Sequence, residues 1–450
     1  MQLFVCRRAA LSILGAAVLS CILAQSAWAA SAVVGNCKAL ATYPTIQLAV
    51  NSVPPNSTVF VCPGTYAEQV LITKNLTLTG VSGNGLAGAN AAGFNNPVIT
   101  SPVGGVVANV SDLAPGGDPI FYQIAVVSPV PATPIKVNIS FLAIDGSNNQ
   151  ISGCGMDLVG IYYQNANGII NQSVTRNQEL PTGLGGCQGG LAIFVESGYG
   201  SGGTAKVTIE NNSVHDYDKN GITADGSGTT ATISGNYIVG MGATPVTAQN
   251  GIQVSDGANG SVKNNTVTDD VYISPEGGPY YSATGILLYD SGGTSAVNLT
   301  ISGNTISNSQ GGIVAFGDSS GTADYNAVTS NKVTTSPAAG PYQLDGIDLC
   351  SNNNTATLNT VFNSSGSGIH IDSTCTQSTG STGNNTSVTR NTVNEACAGV
   401  LTGSGTGSSQ SSNISYNVVQ TTQAGDSCPV GAPGAPSRPK SRLKPSPRRP

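Results

Sequence analysis

Charge is scarce in this 450-residue chain: Asp, Glu, Lys and Arg make up 9% of it. Aromatic residues make up 5%, with one Trp, and there are two His and three Met. No C-x-x-C spacing occurs and His is nearly absent, which makes metal binding a weak reading of the cysteines. No run after the N-terminus approaches the ~20 apolar residues of a membrane span. What remains is rich in Gly, with 58 residues, and in Ser, Thr and Asn. That composition disfavours helices and favours short strands and turns.

The first 29 residues are predicted to be an export signal. Arg7 and Arg8 form a basic start, Ala9 to Ala24 a short apolar run, and Ala27-Trp28-Ala29 a small-x-small cleavage site. A soluble, secreted product, extracellular or periplasmic, is expected, and most simply a monomer. Eight cysteines follow the signal: Cys37, Cys62, Cys154, Cys187, Cys350, Cys375, Cys397 and Cys428. An even number in an exported chain points to disulfides. Pairing of sequence neighbours gives 37–62, 154–187, 350–375 and 397–428.

The net charge of −6 hides an asymmetry. Of the 17 basic residues, six follow Val430 and two lie in the signal, leaving nine against all 23 acids, a body of −14. Such a field repels nucleic acid and polyanions unless a cation bridges them. The Pro-rich basic stretch 431–450 is predicted to be a disordered tail. Residues 30–430 are predicted to form one domain.

An internal repeat organises that domain. Gly followed by Ile, Leu or Val recurs at Gly190, Gly221, Gly251, Gly285, Gly312, Gly346, Gly368 and Gly399, in steps of 22 to 34 residues. Between these lie Asn residues with an apolar residue two places on: Asn212, Asn236, Asn265, Asn304, Asn331, Asn359, Asn391 and Asn417. Inside each repeat the apolar period is two, as in Ile252/Val254 and Ile286/Leu288, which is strand-like. A repeat as short as 22 residues suffices for one coil of a β-solenoid. Asn tolerates the positive φ of a tight bend, and equivalent Asn side chains one coil apart can form a hydrogen-bonded ladder. Ile46, Ala49, Val50 and Val53 have helical spacing ended by Pro54-Pro55, and predict a capping helix over the open end. Residues 81–135 read as a long lateral loop or irregular coil.

The stretch 43–80, and above all Pro63-Gly64-Thr65-Tyr66-x-Glu68, resembles the opening of pectin methylesterases. The later Gly-Ile and Asn repeats resemble the right-handed parallel β-helix of the pectin lyase-like superfamily. The resemblance implies an all-β fold, a single-stranded right-handed parallel β-helix, and a polysaccharide or surface glycan as partner. The catalytic segments of pectin methylesterases and polygalacturonases have no counterpart here. Two functions stay open: a polysaccharide-cleaving enzyme of glycoside hydrolase or lyase type, and a non-catalytic envelope or matrix protein that binds glycans or surfaces.

Stacking the Gly-Ile strands in register gives candidate sites. Asp348 and His370 occupy the same outward position of consecutive repeats, flanked by Asp345 and Asp372. An imidazole among carboxyls can exchange protons, and a carboxyl pair can split acid and base roles. An acid also ends most Gly-Ile strands: Glu196, Asp225, Asp256, Asp290, Asp318 and Asp372. Such a column would bind calcium through Asp225, Asp256, Asp290 and Asp318, although Asp before Gly or Ser is ordinary turn chemistry. His215-Asp216-Tyr217-Asp218 and Asp269-Asp270 fall at one corner of the coil. Tyr280, Tyr281 and Tyr289 are candidates for stacking on sugar rings.

Overall fold

The computed structural model describes residues 30–81, 96–273, 281–290, 298–317, 323–335, 344–373, 382–425 and 444–445. Its strands wind into a right-handed parallel β-helix. Among the described residues, fourteen strands line one sheet, and 23 form a second, bent sheet that supplies two strands to most coils. One coil reads Ala205–Glu210, Ser213–His215, Asn220–Asp225, and the next begins at Thr229. Pairing between coils is parallel throughout. Among the described residues the antiparallel exception is Ala108–Ser111 with Pro119–Val127.

The period of two becomes vertical apolar columns. Ile193, Ile222, Ile252, Ile286, Ile313, Ile347, Ile369 and Val400 pair in sequence through eight coils. Every one of them is fully buried. Each contributes about 1.5–3 kcal/mol by leaving water. The glycine that precedes every member of the column after Ile193 has a steric cause. A Cβ on Gly251 would lie 2.2 Å from Val267, and one on Gly346 2.2 Å from Val361. The apolar residue two places after the ladder Asn therefore fills the space that the glycine leaves. Gly190-Leu191 falls outside this register: Leu191 pairs with Asn220, so Ala192-Ile193 is the true counterpart of Gly221-Ile222.

The asparagine ladder is present. Nδ2 of each donates to Oδ1 of the next, through Asn212, Asn236, Asn265, Asn304, Asn331, Asn359 and Asn391, at 2.9–3.0 Å. Its last member is Asn413, not Asn417, which is exposed and bonds Asn394 instead. The positive φ sits one residue earlier than expected, at Asn211, Gly235, Asn264, Gly303, Ser330, Leu358, Arg390 and Ser412. The ladder Asn is thus selected for hydrogen bonding inside the bend. Its Nδ2 also reaches a carbonyl of the preceding coil, as Asn265 reaches Ile233 O at 3.0 Å.

The capping helix spans Ile46–Ser52 and buries Ile46, Ala49 and Val50. Thr45 caps it, accepting from Leu48 N at 3.1 Å. Glu68, from the Pro63–Glu68 element, accepts from Ile46 N and Gln47 N at 2.8 and 2.9 Å. The carboxylate thereby meets the free N–H groups at the positive end of the helix. The region expected to be a loop is more regular: Val98–Thr100 and Pro119–Val127 join the coils, and Ala108–Ser111 folds back over them. Disulfides join Cys37 to Cys62 and Cys154 to Cys187. Cys350 and Cys397 are also disulfide-bonded; Cys375 and Cys428 lie outside the described residues.

Asn265→Leu should cost about 3 kcal/mol or more in chemical denaturation, because it orphans buried groups on two coils. Ile252→Ala should cost about 2–5 kcal/mol. A non-reducing peptide map should contain links 350–375 and 397–428.

Candidate functional site

In-register stacking brings the four predicted residues together. His370 lies directly over Asp348 on the next coil. Its Nδ1 is 3.2 Å from Asp345 Oδ2 and 3.6 Å from Asp372 Oδ2. One ligand-type atom from each of Asp345, Asp348 and His370 lies within 4.8 Å of the others, and the same holds for Asp348, Cys350 and Asp372. Cys350 offers no thiolate, since it is disulfide-bonded. Asp345 is anchored by Ser367, whose N and Oγ donate to its Oδ1 at 2.6 and 2.8 Å. A Cβ on Gly366 would lie 2.5 Å from that oxygen, so only glycine lets the backbone approach so closely. The group is more enclosed than expected: His370 and Asp372 are 0% exposed, Asp345 is 1%, and Asp348 is half-buried. Asp348 is therefore the member best placed to meet a ligand.

The acid column is broken. Glu196 pairs with Asp225, but Asp225 pairs with Ser255, and Ser255 with Tyr289. Asp256 and Asp290 stand one residue further on, and Asp256 has turned into the left-handed region at φ 50°. Asp318 lies outside the described residues. Among the described residues, Asp225, Asp256 and Asp290 are not in the groups whose ligand atoms converge within 4.8 Å; Asp112, Asp118 and Asp157 form such a group.

Hydrogen bonds tie the acids to their neighbours instead. Ser255 Oγ donates to Asp225 Oδ1 at 2.7 Å. The Tyr199 hydroxyl reaches Asp225 Oδ2 at 2.8 Å and Asp256 Oδ2 at 3.3 Å. Glu196 Oε1 accepts from Tyr162 OH, from Leu113 N at 3.0 Å and from Gln164 Nε2 at 3.3 Å. Burial, aided by the charges of Asp112 and Asp225, pushes Glu196 up to about 8. Burial and the charge of Asp256 push Asp225 up to about 7. Tyr199 and Tyr162 carry no repeat signature, which is why the sequence did not single them out.

The corner cluster is divided: Tyr217, Asp218 and Asp270 are buried, while His215, Asp216 and Asp269 are partly exposed. Tyr217 OH donates to Asp270 Oδ1 at 2.6 Å, and burial raises Asp270 well above the carboxylate range. Asp218 accepts from Leu180 N at 2.6 Å, and burial moves it to about 7. His215 Nδ1 lies 2.6 Å from Asp216 Oδ2, and that hydrogen bond lowers the Asp216 carboxyl. Asp269 sits in the left-handed region at φ 67°. Of the candidate sugar platforms, Tyr289 is buried and stacks on Phe316 at 6.1 Å. Tyr280 lies outside the described residues. The backbone of Tyr281–Ser282 pairs with Lys444–Pro445.

A family model for the right-handed β-helix region matches residues 139–297 and 248–417, more than half of the chain. The chain belongs to the right-handed β-helix family. No curated protein matches its sequence. Among solved structures, this β-helix protein is similar to a mannuronan C-5 epimerase A-module of Azotobacter vinelandii. The identity is 14%, over 84% of this chain and 94% of that one, with TM-score 0.50. It is also similar to the Dettilon tailspike protein, at 14% identity over 81% of this chain and 62% of that one, TM-score 0.49. A third is DFA-IIIase from Arthrobacter chlorophenolicus A6, at 16% identity over 88% and 86%, TM-score 0.44. At these identities the shared property is the fold.

The raised carboxyls give stability a pH dependence. Glu196 binds its proton more tightly folded than unfolded, so stability is greatest below its unfolded value and falls as pH rises towards about 8. Asp225 and Asp218 act in the same direction up to about 7. The melting temperature should therefore fall between pH 5 and 8. Glu196→Gln, which cannot ionise, should flatten that fall, reducing a loss on the order of a few kcal/mol. An unchanged slope in the variant would contradict the assignment.

Proposed function

We propose that this β-helix protein is secreted, binds extracellular polysaccharide along its side and cleaves it at Asp345, Asp348, His370 and Asp372. One observation carries the reading: a single imidazole nitrogen faces Asp372 of its own coil and Asp345 of the coil before, while half-buried Asp348 of that earlier coil lies in register with His370. Such a constellation can hold a proton at His370 and deliver or accept it through Asp348. Carboxyl oxygens within 4.8 Å of one another are closer than inverting hydrolysis needs, which leaves room for water, and they suit a retaining double displacement. The acidic body favours neutral glycans over polyanionic ones. The N-terminal signal pattern and the disulfides support secretion, and no helix among the described residues is long and apolar enough to cross a membrane. The mannuronan epimerase module lends the polysaccharide a precedent on the same fold.

A second reading is a non-catalytic glycan-binding envelope or matrix protein. The full burial of His370 and Asp372 favours it. A panel of neutral and uronic-acid polysaccharides, followed by reducing-end release and by unsaturated-product absorbance, separates the two. Turnover by the wild type and a loss of about 100-fold or more in Asp348→Asn and His370→Ala is expected. Activity untouched by both substitutions would refute the site, and binding without turnover would leave the second reading.

A further inference from the structure

Residues 106–115 cross the outward face of four successive coils, and side chains of those coils hold them. Gln69 bonds the main chain of Val107 in both directions: its Nε2 donates to Val107 O at 3.0 Å, and its Oε1 accepts from Val107 N at 2.9 Å. Tyr122 OH donates to Asn109 Oδ1 at 2.6 Å, and Gln164 Nε2 to Ser111 O at 2.7 Å. Leu113 N donates to Glu196 Oε1 at 3.0 Å. The strands at Gln69, Tyr122, Gln164 and Glu196 pair in that order.

The segment buries little of itself. Within 106–115 Val106 and Asp112 are buried, whereas Val107 is 61% exposed. Val106 N donates to Asn149 O at 3.0 Å, and the ladder with Pro119–Val127 shifts register between Ala108 and Val110. Glycine pairs flank it, Gly104–Gly105 at φ 99° and 95° and Gly116–Gly117 at φ 106° and 58°. A Cβ on Gly104 or Gly116 would meet nothing within 4 Å, so the backbone angle, not crowding, calls for glycine there. Beneath lie Tyr122, Tyr162 and Phe194, at most 1% exposed, with the Tyr162 and Phe194 rings 5.3 Å apart. A segment with few buried apolar groups opens at a lower free energy than the coils under it.

We propose that residues 106–115 are a hinged strap, latched by Glu196, that lifts as a unit between its glycine pairs and uncovers the floor of Tyr122, Tyr162 and Phe194. The outward row of that floor runs from Phe194 through Thr223, Gln253, Leu287 and Val314 to Asp348, five coils on. Lifting the strap therefore lengthens the open side of the rod on which Asp348 stands. The device requires no sugar and is independent of cleavage at Asp348.

The latch responds to pH. Glu196 faces Asp112 on the strap, Asp225 on the next coil, and the phenols of Tyr162 and Tyr199. One oxygen of Asp112 lies within 4.8 Å of one on each of Asp118 and Asp157. With the strap closed, burial and then the charges of Asp112 and Asp225 hold Glu196 up at about 8. Lifting the strap lets water reach the carboxyl and returns it towards the ordinary carboxylate range. The closed form binds the proton more tightly, so closure is strongest in acid and weakens as pH rises towards about 8.

Amide hydrogen exchange on the full chain, expressed as protection factors from pH 5 to 8, tests the device without any ligand. Val107 and Leu113 should share one protection factor, about 100-fold or more below those of Ile161 and Ile193 in the coils beneath. Both should lose protection with rising pH, by up to about tenfold per pH unit for the one proton released. In Glu196→Gln, which cannot ionise, that loss should vanish and the strap should keep its acid-pH protection. Ala108→Cys/Phe121→Cys, a paired position of the ladder, should cross-link on oxidation and raise Val107 to the protection of the coils. Equal protection of strap and coils in the wild type would overturn the proposal. So would a flat wild-type pH profile, or one that Glu196→Gln leaves unchanged.

Discussion

Register between coils is the constraint on which everything else rests. Parallel strands about 4.8 Å apart lock each coil to the next, and a slip of one residue would turn every isoleucine outward. Three features hold that register. The isoleucine column needs a dry interior. The Gly positions from Gly221 to Gly368 admit Val267, Val361 and their apolar equivalents at 2.2–2.7 Å from where a Cβ would sit. The asparagine ladder satisfies buried backbone groups at the bend, coil after coil. Each feature fails if the others shift, so the stack is specified cooperatively.

A rod of this kind buries its outward side chains wherever a segment crosses the face. Tyr162, Phe194 and Tyr122 lie beneath the Ala108–Ser111 strand and its turn, and Leu287, Tyr289, Val314 and Phe316 form a second apolar patch. Between them runs a polar strip, from Asn220, Asn250 and Gln253 through Ser255 to Asp225. Carboxyls placed in that setting lose solvation and hold their protons near neutrality. Glu196 and Asp225 differ in this from a surface calcium column, which would keep its acids ionised and wet.

The sequence made legible what repeats. The strand period, the isoleucine column, most of the ladder and the juxtaposition of Asp348 with His370 all follow from spacing. What it obscured depends on single residues off the period. Asn417 has the ladder signature, but Asn413 lies at the end of a shorter coil and takes the place. Gly190 precedes an apolar residue, yet the true register starts two residues later. Asp256 follows Ser255 into a turn, so the acid that a repeat pattern aligns with Asp225 is displaced by one. Tyr199 reaches Asp225 from a turn, and nothing periodic announces it. Burial of the His370 cluster depends on what covers the face, which strand periodicity does not encode.

The stacking of the Ile347–Cys350 and Ile369–Ile371 strands decides whether the four site residues meet. Those two coils continue into Thr355–Thr357 and Ser387–Thr389, where Thr357 is paired with Thr389. In-register Cα atoms about 4.8 Å apart can be bridged by a disulfide, whereas a two-residue offset exceeds the ~7 Å limit. Mild oxidation followed by mass spectrometry should therefore cross-link Thr357→Cys/Thr389→Cys and leave Thr357→Cys/Ser387→Cys open. Cross-linking of the second pair in preference to the first would contradict the register, and the site would go with it.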